Sequence, residues 1–427
     1  MFWLVETQEQ FDDLKYELGK EVFALPIHRH AEIHPGIYTP ISLYLRGLNK
    51  ERGFLINFHH PEALLFDYNQ VRELLRTLDK IYTPDKKAFN YVHFGENTFD
   101  LNLFQYVELK KHTYAHNYYS QKYYDSDDLG MVIPIVKHFE ECESIFDQYL
   151  PIIHKYQPNQ YHDDLSNVFW FIEKNGVKVN SAFERYFELK RPFLSLYNPY
   201  IFTQYNLNTT TGRPSNTFNN LNFAALPKDS GARSVFIPRN DFLLEIDLTA
   251  YHPTLISQMV GYESPTGDIY EDFANQYGMD RTEAKNLVFK QLYGNVFDQY
   301  KDFEFFQLTT RLIHKIWTEF SNKGKYTVQE TGKVFKESEL QNMNPQKLFN
   351  YIIQHWETYN NVALLKNIHY ILNGCKSKLV LYTYDAFLID TAKEDKEKIR
   401  EILNVFKQAN LKIKTSYGSD YNSLQSL

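Results

Sequence analysis

The chain has 427 residues, a net charge of −7, 43% hydrophobic and 23% charged residues, which is the composition of a globular protein of about two or three domains. The first thirty residues lack an apolar signal core and no run of about 18 apolar residues occurs, so the expected address is cytoplasmic, with no membrane partner. Cys142 and Cys375 stand far apart without metal-type spacing, which excludes a disulfide scaffold and a zinc site and leaves both as buried hydrophobes. The acidic balance argues against a nucleic-acid footprint over the whole surface but not against one basic groove.

From Met1 to about Gln105 the pattern is mixed α and β. Extended stretches at residues 2–5, 21–25, 41–45 and 53–58 surround a helix expected from Asn69 to Leu78. His28, His30, Glu32 and His34 crowd one short stretch and read as an exposed polar loop rather than a metal site. Ile133, Val136, Phe139 and Ile145 have helical spacing, which predicts one helix over residues 129–148. A polar, aromatic connector follows Asn180. From Thr211 onward strand and helix signals strengthen.

Three segments carry chemistry. In Phe242-Leu-Leu-Glu-Ile-Asp247 apolar residues alternate, which predicts a strand delivering a carboxylate at its exit. Pro253 suits the first turn of a helix that stops at Gly261. Alone, a strand-terminal Asp is commonly a turn or cap residue. Lys378 to Asp390 is an apolar run interrupted by Asp385, as in a hairpin whose half-buried acid needs a cation or a donor. Asp280 with Glu283 marks a helix start and Gly294 its stop. Arg281, Lys285, Phe289 and Tyr293, four residues apart, form one stripe beside the core-facing Ala284, Leu287, Val288 and Leu292. Two cations followed by two aromatics suit a ligand with a triphosphate at one end and a base at the other.

Together these segments resemble the family A DNA polymerases, the group that includes bacterial DNA polymerase I, from about residue 170 to the end. Thr211-Gly212-Arg213 with Ser215 looks like the family's T-G-R-x-S, followed by Asn220-Leu-Asn and Leu226-Pro227. Asp247 lies in its motif A, and Asp268-Ile-Tyr looks like its D-I-H element. Arg281, Lys285, Phe289, Tyr293 and Gly294 match motif B position by position. Asn350-Tyr-Ile-Ile-Gln354 resembles the N-x-x-x-Q element, and Tyr384-Asp385 falls at the H-D of motif C. Two departures are plain: His252, beside Tyr251, replaces the motif A Glu that gates the ribose, and Ala386 replaces the third carboxylate of motif C. Asn97-Thr-Phe-Asp100 and Tyr124-Asp-Ser-Asp-Asp128 look like two motifs of the family's 3'-5' exonuclease domain. The first motif, expected after Val22-Phe23, is missing.

The resemblance implies an α+β chain. An RNase H-like exonuclease-type domain, expected to be inactive, occupies residues 1–148, and a connector with a vestigial thumb 149–210. A polymerase palm built on an antiparallel sheet occupies 211–427, with helical fingers at about 262–345. It also implies a template-directed DNA polymerase using two Mg2+ ions, or Mn2+, held by Asp247, the Leu248 carbonyl and Asp385. Arg281 and Lys285 would bind the deoxynucleoside triphosphate, with Lys285 also protonating the leaving group. Phe289, Tyr293, Tyr251 and His252 would surround the nucleotide, and Arg213, Asn350, Gln354 and Tyr384 would meet primer-template DNA. The short thumb suggests a processivity or replisome partner, and the small size a phage or plasmid source. Ala386 and the short thumb also motivate a second reading, a primer-template binding module with little catalysis; His252 motivates a third, a ribose-tolerant polymerase.

Overall fold

The computed structural model describes residues 3–29, 34–36, 40–108, 129–183, 187, 199–218, 221–228 and 230–427. Most of residues 181–198, His30, Glu32, Asn220 and the Tyr124 to Asp128 motif lie outside them. The chain divides into two compact units, Met1–Asn208 with Thr217–Asn222, and Thr209–Asn216 with Phe223–Leu427.

The first unit runs β1 (Leu4–Val5), α1 (Gln8–Leu18), β2 (Glu21–Ile27), β3 (Ser42–Gly47), β4 (Gly53–Asn57), α2 (Tyr68–Arg76), β5 (Lys80–Thr83), α3 (Lys86–Phe89), β6 (Thr98–Asp100) and α4 (Leu101–Glu108). After the undescribed stretch come α5 (Leu129–Val132), α6 (Ile135–Ile153), α7 (Gln160–Glu173), β7 (Val177–Val179), β8 (Tyr200–Ile201), and a hairpin of β9 (Thr217–Phe218) and β10 (Leu221–Asn222). Six strands form one sheet in the order β1-β4-β3-β2-β5-β6, and β3 alone runs against its neighbours. β2 reads as an unbroken apolar run because helices cover both faces of the sheet. Val22 and Ala24 pack with Phe11 and Leu14 of α1 and Val71 and Leu75 of α2. Phe23, Leu25 and Ile27 pack on the other face with Phe139, Phe146 and Tyr149 of α6.

Several sequence expectations change here. The helix expected over 129–148 is two helices, because Pro134 has no N–H to donate and disfavours helical geometry at Ile133. Cys142 is buried, but Cys375 is only half-buried, with its thiol 3.6 Å from the Ile371 carbonyl. His34 is no exposed loop residue: it is 1% exposed and stacks on Phe202 at 4.8 Å, and burial pulls its imidazole down to about 3. Asp100, read as an exonuclease carboxylate, spends both oxygens on backbone amides. It accepts from Leu103 at 2.8 Å and from Lys86 at 2.9 Å, capping the starts of α4 and α3.

A polar layer lies inside this unit. Buried Lys86 donates to Asp163 at 2.8 Å. Lys87 donates to Glu173 and to the Tyr205 carbonyl, while Glu173 also accepts from the Tyr205 amide at 2.6 Å. Glu173 is 2% exposed, so removing it strands a cation. Glu173→Ala is expected to lower the unfolding free energy by about 3–5 kcal/mol, with most of the loss recovered when Lys87→Met is added to Glu173→Leu. Urea unfolding of the three proteins checks this, and an unchanged midpoint in the single variant would contradict it.

The second unit contains β11 (Phe236–Ile237), β12 (Phe242–Leu248), α8 (Tyr251–Val260), α9 (Ile269–Tyr277), α10 (Arg281–Tyr293), α11 (Glu304–Lys323), β13 (Lys325–Thr327), β14 (Val334–Lys336), α12 (Pro345–Ile371), β15 (Lys378–Tyr382), β16 (Ala386–Thr391), α13 (Lys396–Gln408), β17 (Ile413–Gly418) and β18 (Gln425–Ser426). An antiparallel sheet runs β15-β16-β12-β17-β18. A helical core gathers Ile256 of α8, Phe273 of α9, Val288 of α10, Phe306 of α11 and Ile353 of α12. Asp280 caps α10 through the amides of Thr282 and Glu283, and Gly261 ends α8 at φ 68°, a left-handed stop that glycine tolerates best.

Candidate active site

β12 is the central strand of the second unit's sheet, and Asp247 stands one residue from its end. Across the ladder it pairs with Ala386 on one side and Lys414 on the other. The β15–β16 hairpin carries Asp385 at its tip, and the Leu248 amide donates to the Asp385 carbonyl at 2.7 Å. That bond fixes the two acids side by side. Burial and then the charge of Asp385 push Asp247 up to about 6, against the weaker pull of Lys228 and Lys285. Asp385 is exposed at the hairpin tip rather than half-buried as the apolar flanks suggest, and desolvation of its carboxyl still raises it. Each acid has a non-glycine residue in left-handed backbone nearby, Ala250 at φ 53° and Tyr384 at φ 68°. Such positions cost about 1–3 kcal/mol each and persist only where surrounding contacts impose them. Tyr384 is held by the Asn361 amide, which donates to its carbonyl at 2.8 Å, and by the Arg213 guanidinium 3.7 Å over its ring.

Both acids open into a cleft of about 660 Å³ whose lining brings together Arg213, Leu248, Tyr251, His252, Arg281, Lys285, Phe289, Tyr293, Asn350 and Gln354. Gly212 is required for Arg213 to reach it: its φ is 76°, and a Cβ there would meet the His355 ring at 2.3 Å. Arg281 is not free in the cleft but donates to Asp268 from Nε at 3.0 Å and Nη2 at 2.7 Å. Phe289 is 44% exposed and its ring lies 5.1 Å from that of Tyr293. Gln354 donates to Asn350 at 3.1 Å, one turn apart on α12.

Of the polar residues not singled out from the sequence, Glu357 and Lys414 line the cleft and Asn361 bonds the lining residue Tyr251. Glu357 accepts from Arg213 at 3.1 Å and meets His252 Nε2 at 2.7 Å. Its signal was the spacing of Asn350, Gln354, Glu357 and Asn361, which places all four on one face of α12. Asn361 accepts from the Tyr251 hydroxyl at 2.8 Å. Lys414 could be found only from the β12–β17 register.

Two adjacent acids, both raised by desolvation and Asp247 also by the charge of Asp385, fit a divalent cation, with Leu248 lining the same cleft. Among the described residues no cluster of three or more His, Cys, Asp or Glu side chains could hold a metal, so further ligands would come from substrate oxygens.

The chain has a mixed α/β fold similar to that of a family A polymerase domain. The solved structure concerned is the POL domain of Pol1 from M. smegmatis in complex with DNA primer-template and dNTP. It matches at a TM-score of 0.69 and 12% identity, covering 99% of this chain and 100% of that one. No family model and no curated protein matches the chain. Among the described residues no helix is long and apolar enough to cross a membrane.

The raised Asp247 has a measurable consequence. A carboxyl whose folded value is higher than its ordinary 3.8 binds more protons folded than unfolded, so the ion-free protein loses stability as pH rises from about 4 through about 6. Asp247→Asn is therefore expected to raise the melting temperature in EDTA above pH 6, with the gain vanishing below pH 4. A variant less stable than the parent at neutral pH would contradict the burial of that charge.

Proposed function

We propose that the chain is a template-directed DNA polymerase that adds deoxynucleotides to a primer 3' end. What carries the reading is one cleft, in a polymerase-type fold, that combines the Asp247–Asp385 pair with the cations and aromatics of α10. Asp247, Asp385 and the Leu248 carbonyl would hold two Mg2+ or Mn2+ ions, which when bound activate the attacking hydroxyl and offset charge on the departing pyrophosphate. Arg281, aimed by Asp268, and Lys285 one turn further bind the triphosphate, and Lys285 delivers a proton to the leaving group. Phe289 and Tyr293 take the base, and Asn350, Gln354 and Arg213 take the minor-groove edge of primer-template, whose acceptors are similar for every correct pair. A partner protein would supply grip that a short thumb does not.

The sheet of the first unit supports an RNase H-like, exonuclease-type domain, since the five strands β4-β3-β2-β5-β6 have the order and the single reversed strand of that layout. Degeneracy follows from the residues: β2 ends in Ala24-Leu25-Pro26-Ile27 with no acid, and Asp100 is committed to two helix caps.

Asp247→Ala or Asp385→Ala is expected to abolish incorporation while primer-template affinity stays near that of the parent. Primer extension and fluorescence anisotropy measure the two quantities, and more than a few per cent of parental activity in either variant would sink the assignment. Single-stranded DNA should survive the unaltered protein with Mg2+ or Mn2+; metal-dependent digestion that persists in Asp247→Ala would show a working exonuclease site.

A further inference from the structure

A second pocket, of about 670 Å³, opens in the second unit at the end of α10. The last turn of α10, residues 294–301, α11 and the first turn of α12 wall it. Gln346 of α12 donates to Asn295 at 3.1 Å and ties two of these walls together. The floor is apolar: Leu292, Phe306 and Ile313 are 2%, 1% and 8% exposed. Gln291 also lines the pocket and is 1% exposed, and the two ends of its amide fare differently. Oε1 accepts from the Phe297 amide at 2.6 Å, which fixes the orientation of the group, because a flipped amide would set N–H against N–H. Nε2 is left with two protons and no acceptor. A buried donor in that state calls for an acceptor that the chain itself does not supply.

Charge narrows the ligand further. Among the described residues no Asp or Glu lines the pocket, whereas Lys301 and Arg311 do, in a chain whose net charge is −7. Lys301 is paired with Asp298, while Arg311 is exposed and has no ion-pair partner among the described residues. The complementary ligand is an anion with an apolar body and a hydrogen-bond acceptor. A nucleic acid fits poorly, because bases bind to open ring faces. Phe306, the only Phe, Tyr or Trp among the described residues of the lining, is turned inward onto Phe273, Phe303 and Phe305. An aliphatic side chain on a peptide suits the floor, and main-chain carbonyls and neighbouring acids supply the acceptor and the charge.

We propose that this pocket docks a partner protein through a segment that presents an aliphatic anchor beside acidic residues. The anchor fills the space over Leu292 and Ile313, a main-chain carbonyl of the segment accepts from Gln291 Nε2, and an acidic side chain pairs with Arg311. The volume is that of sites which enclose a whole small ligand, so more than one side chain can enter. None of this requires catalysis, so it stands or falls apart from the polymerase reading.

Fluorescence anisotropy of the full chain with labelled peptides of about twelve residues tests it. One peptide carries leucines at helical spacing among aspartates and glutamates, a second has lysine for every acid, and a third has serine for every leucine; oligothymidylate is the fourth probe. The acidic leucine peptide should bind at least about tenfold more tightly than the other three. Its Kd should rise about tenfold in Arg311→Glu and about three- to tenfold in Gln291→Leu, and binding should be lost in Thr310→Trp, which fills the pocket with an indole. Where Thr310→Trp also lowers the melting temperature, Arg311→Glu, at an exposed position, decides. Equal binding of the lysine or serine peptide, or acidic-peptide binding indifferent to Arg311→Glu, overturns the inference. So does tighter binding of oligothymidylate that these variants abolish, which would make the pocket a nucleic-acid site. A dimer of the chain alone that Arg311→Glu dissolves, read by light scattering, would give the pocket to a second copy and overturn it equally. Primer extension by the parent reports separately on the polymerase reading, whichever way the peptides fall.

Discussion

The charge of the exposed Asp385 bears on the partly buried Asp247 across a gap that the backbone does not let them widen. The bond from the Leu248 amide to the Asp385 carbonyl continues the β12–β16 pairing to the hairpin tip, so the acids are as fixed as the sheet itself. Desolvation raises both, and the strained backbone at Ala250 and Tyr384 adds its own cost. The surrounding apolar sheet, with Leu243, Ile246, Phe387 and Ile389 essentially inaccessible, holds that arrangement in place. Destabilisation of this kind is what a bound cation would relieve, which ties the unfavourable electrostatics of the acid pair to the chemistry proposed for it.

The cationic wall is built differently. Arg281 is 46% exposed while its partner Asp268 is 8% exposed, so the guanidinium stays half open although its acid is buried. Asp268, fixed as the cap of α9, keeps the side chain aimed. The cleft floor is tighter: Glu357, His252, Arg213 and Tyr293 use one another, leaving few polar atoms free to reorient. A looser end at Arg281 and a more rigid one at Glu357 follow from this difference in burial.

Much of this was legible in the sequence because local signals agreed with the fold. Alternation through Phe242 to Asp247, the Asp280 cap, the Gly294 stop and the four-residue spacing from Arg281 to Tyr293 specify β12 and α10 without tertiary information. The misses are of three physical kinds. α1 was overlooked although Thr7 and Gln10 form a capping box, because only Phe11, Leu14 and Leu18 mark its apolar face. The break at Pro134 was masked by apolar spacing that continues across it. Asp100, His34, Glu357 and Lys414 owe their environments to contacts from elements distant in sequence, and residue type alone cannot distinguish a cap from a metal ligand or a buried relay from a solvated face. Resemblance to a polymerase motif pointed to two carboxylates that share a cleft in the second unit and, in the first, to one that caps two helices.

The central claim is that Asp247 and Asp385 together hold two divalent ions around a nucleotide. Electron paramagnetic resonance of Mn2+ bound to the protein, primer-template with a blocked 3' end and a non-hydrolysable deoxynucleoside triphosphate tests it most directly. A pair of ions about 4 Å apart gives a spin-coupled spectrum. The account predicts that spectrum in the parent and its loss in Asp385→Asn; uncoupled ions only, or a coupled pair indifferent to Asp385, would contradict it.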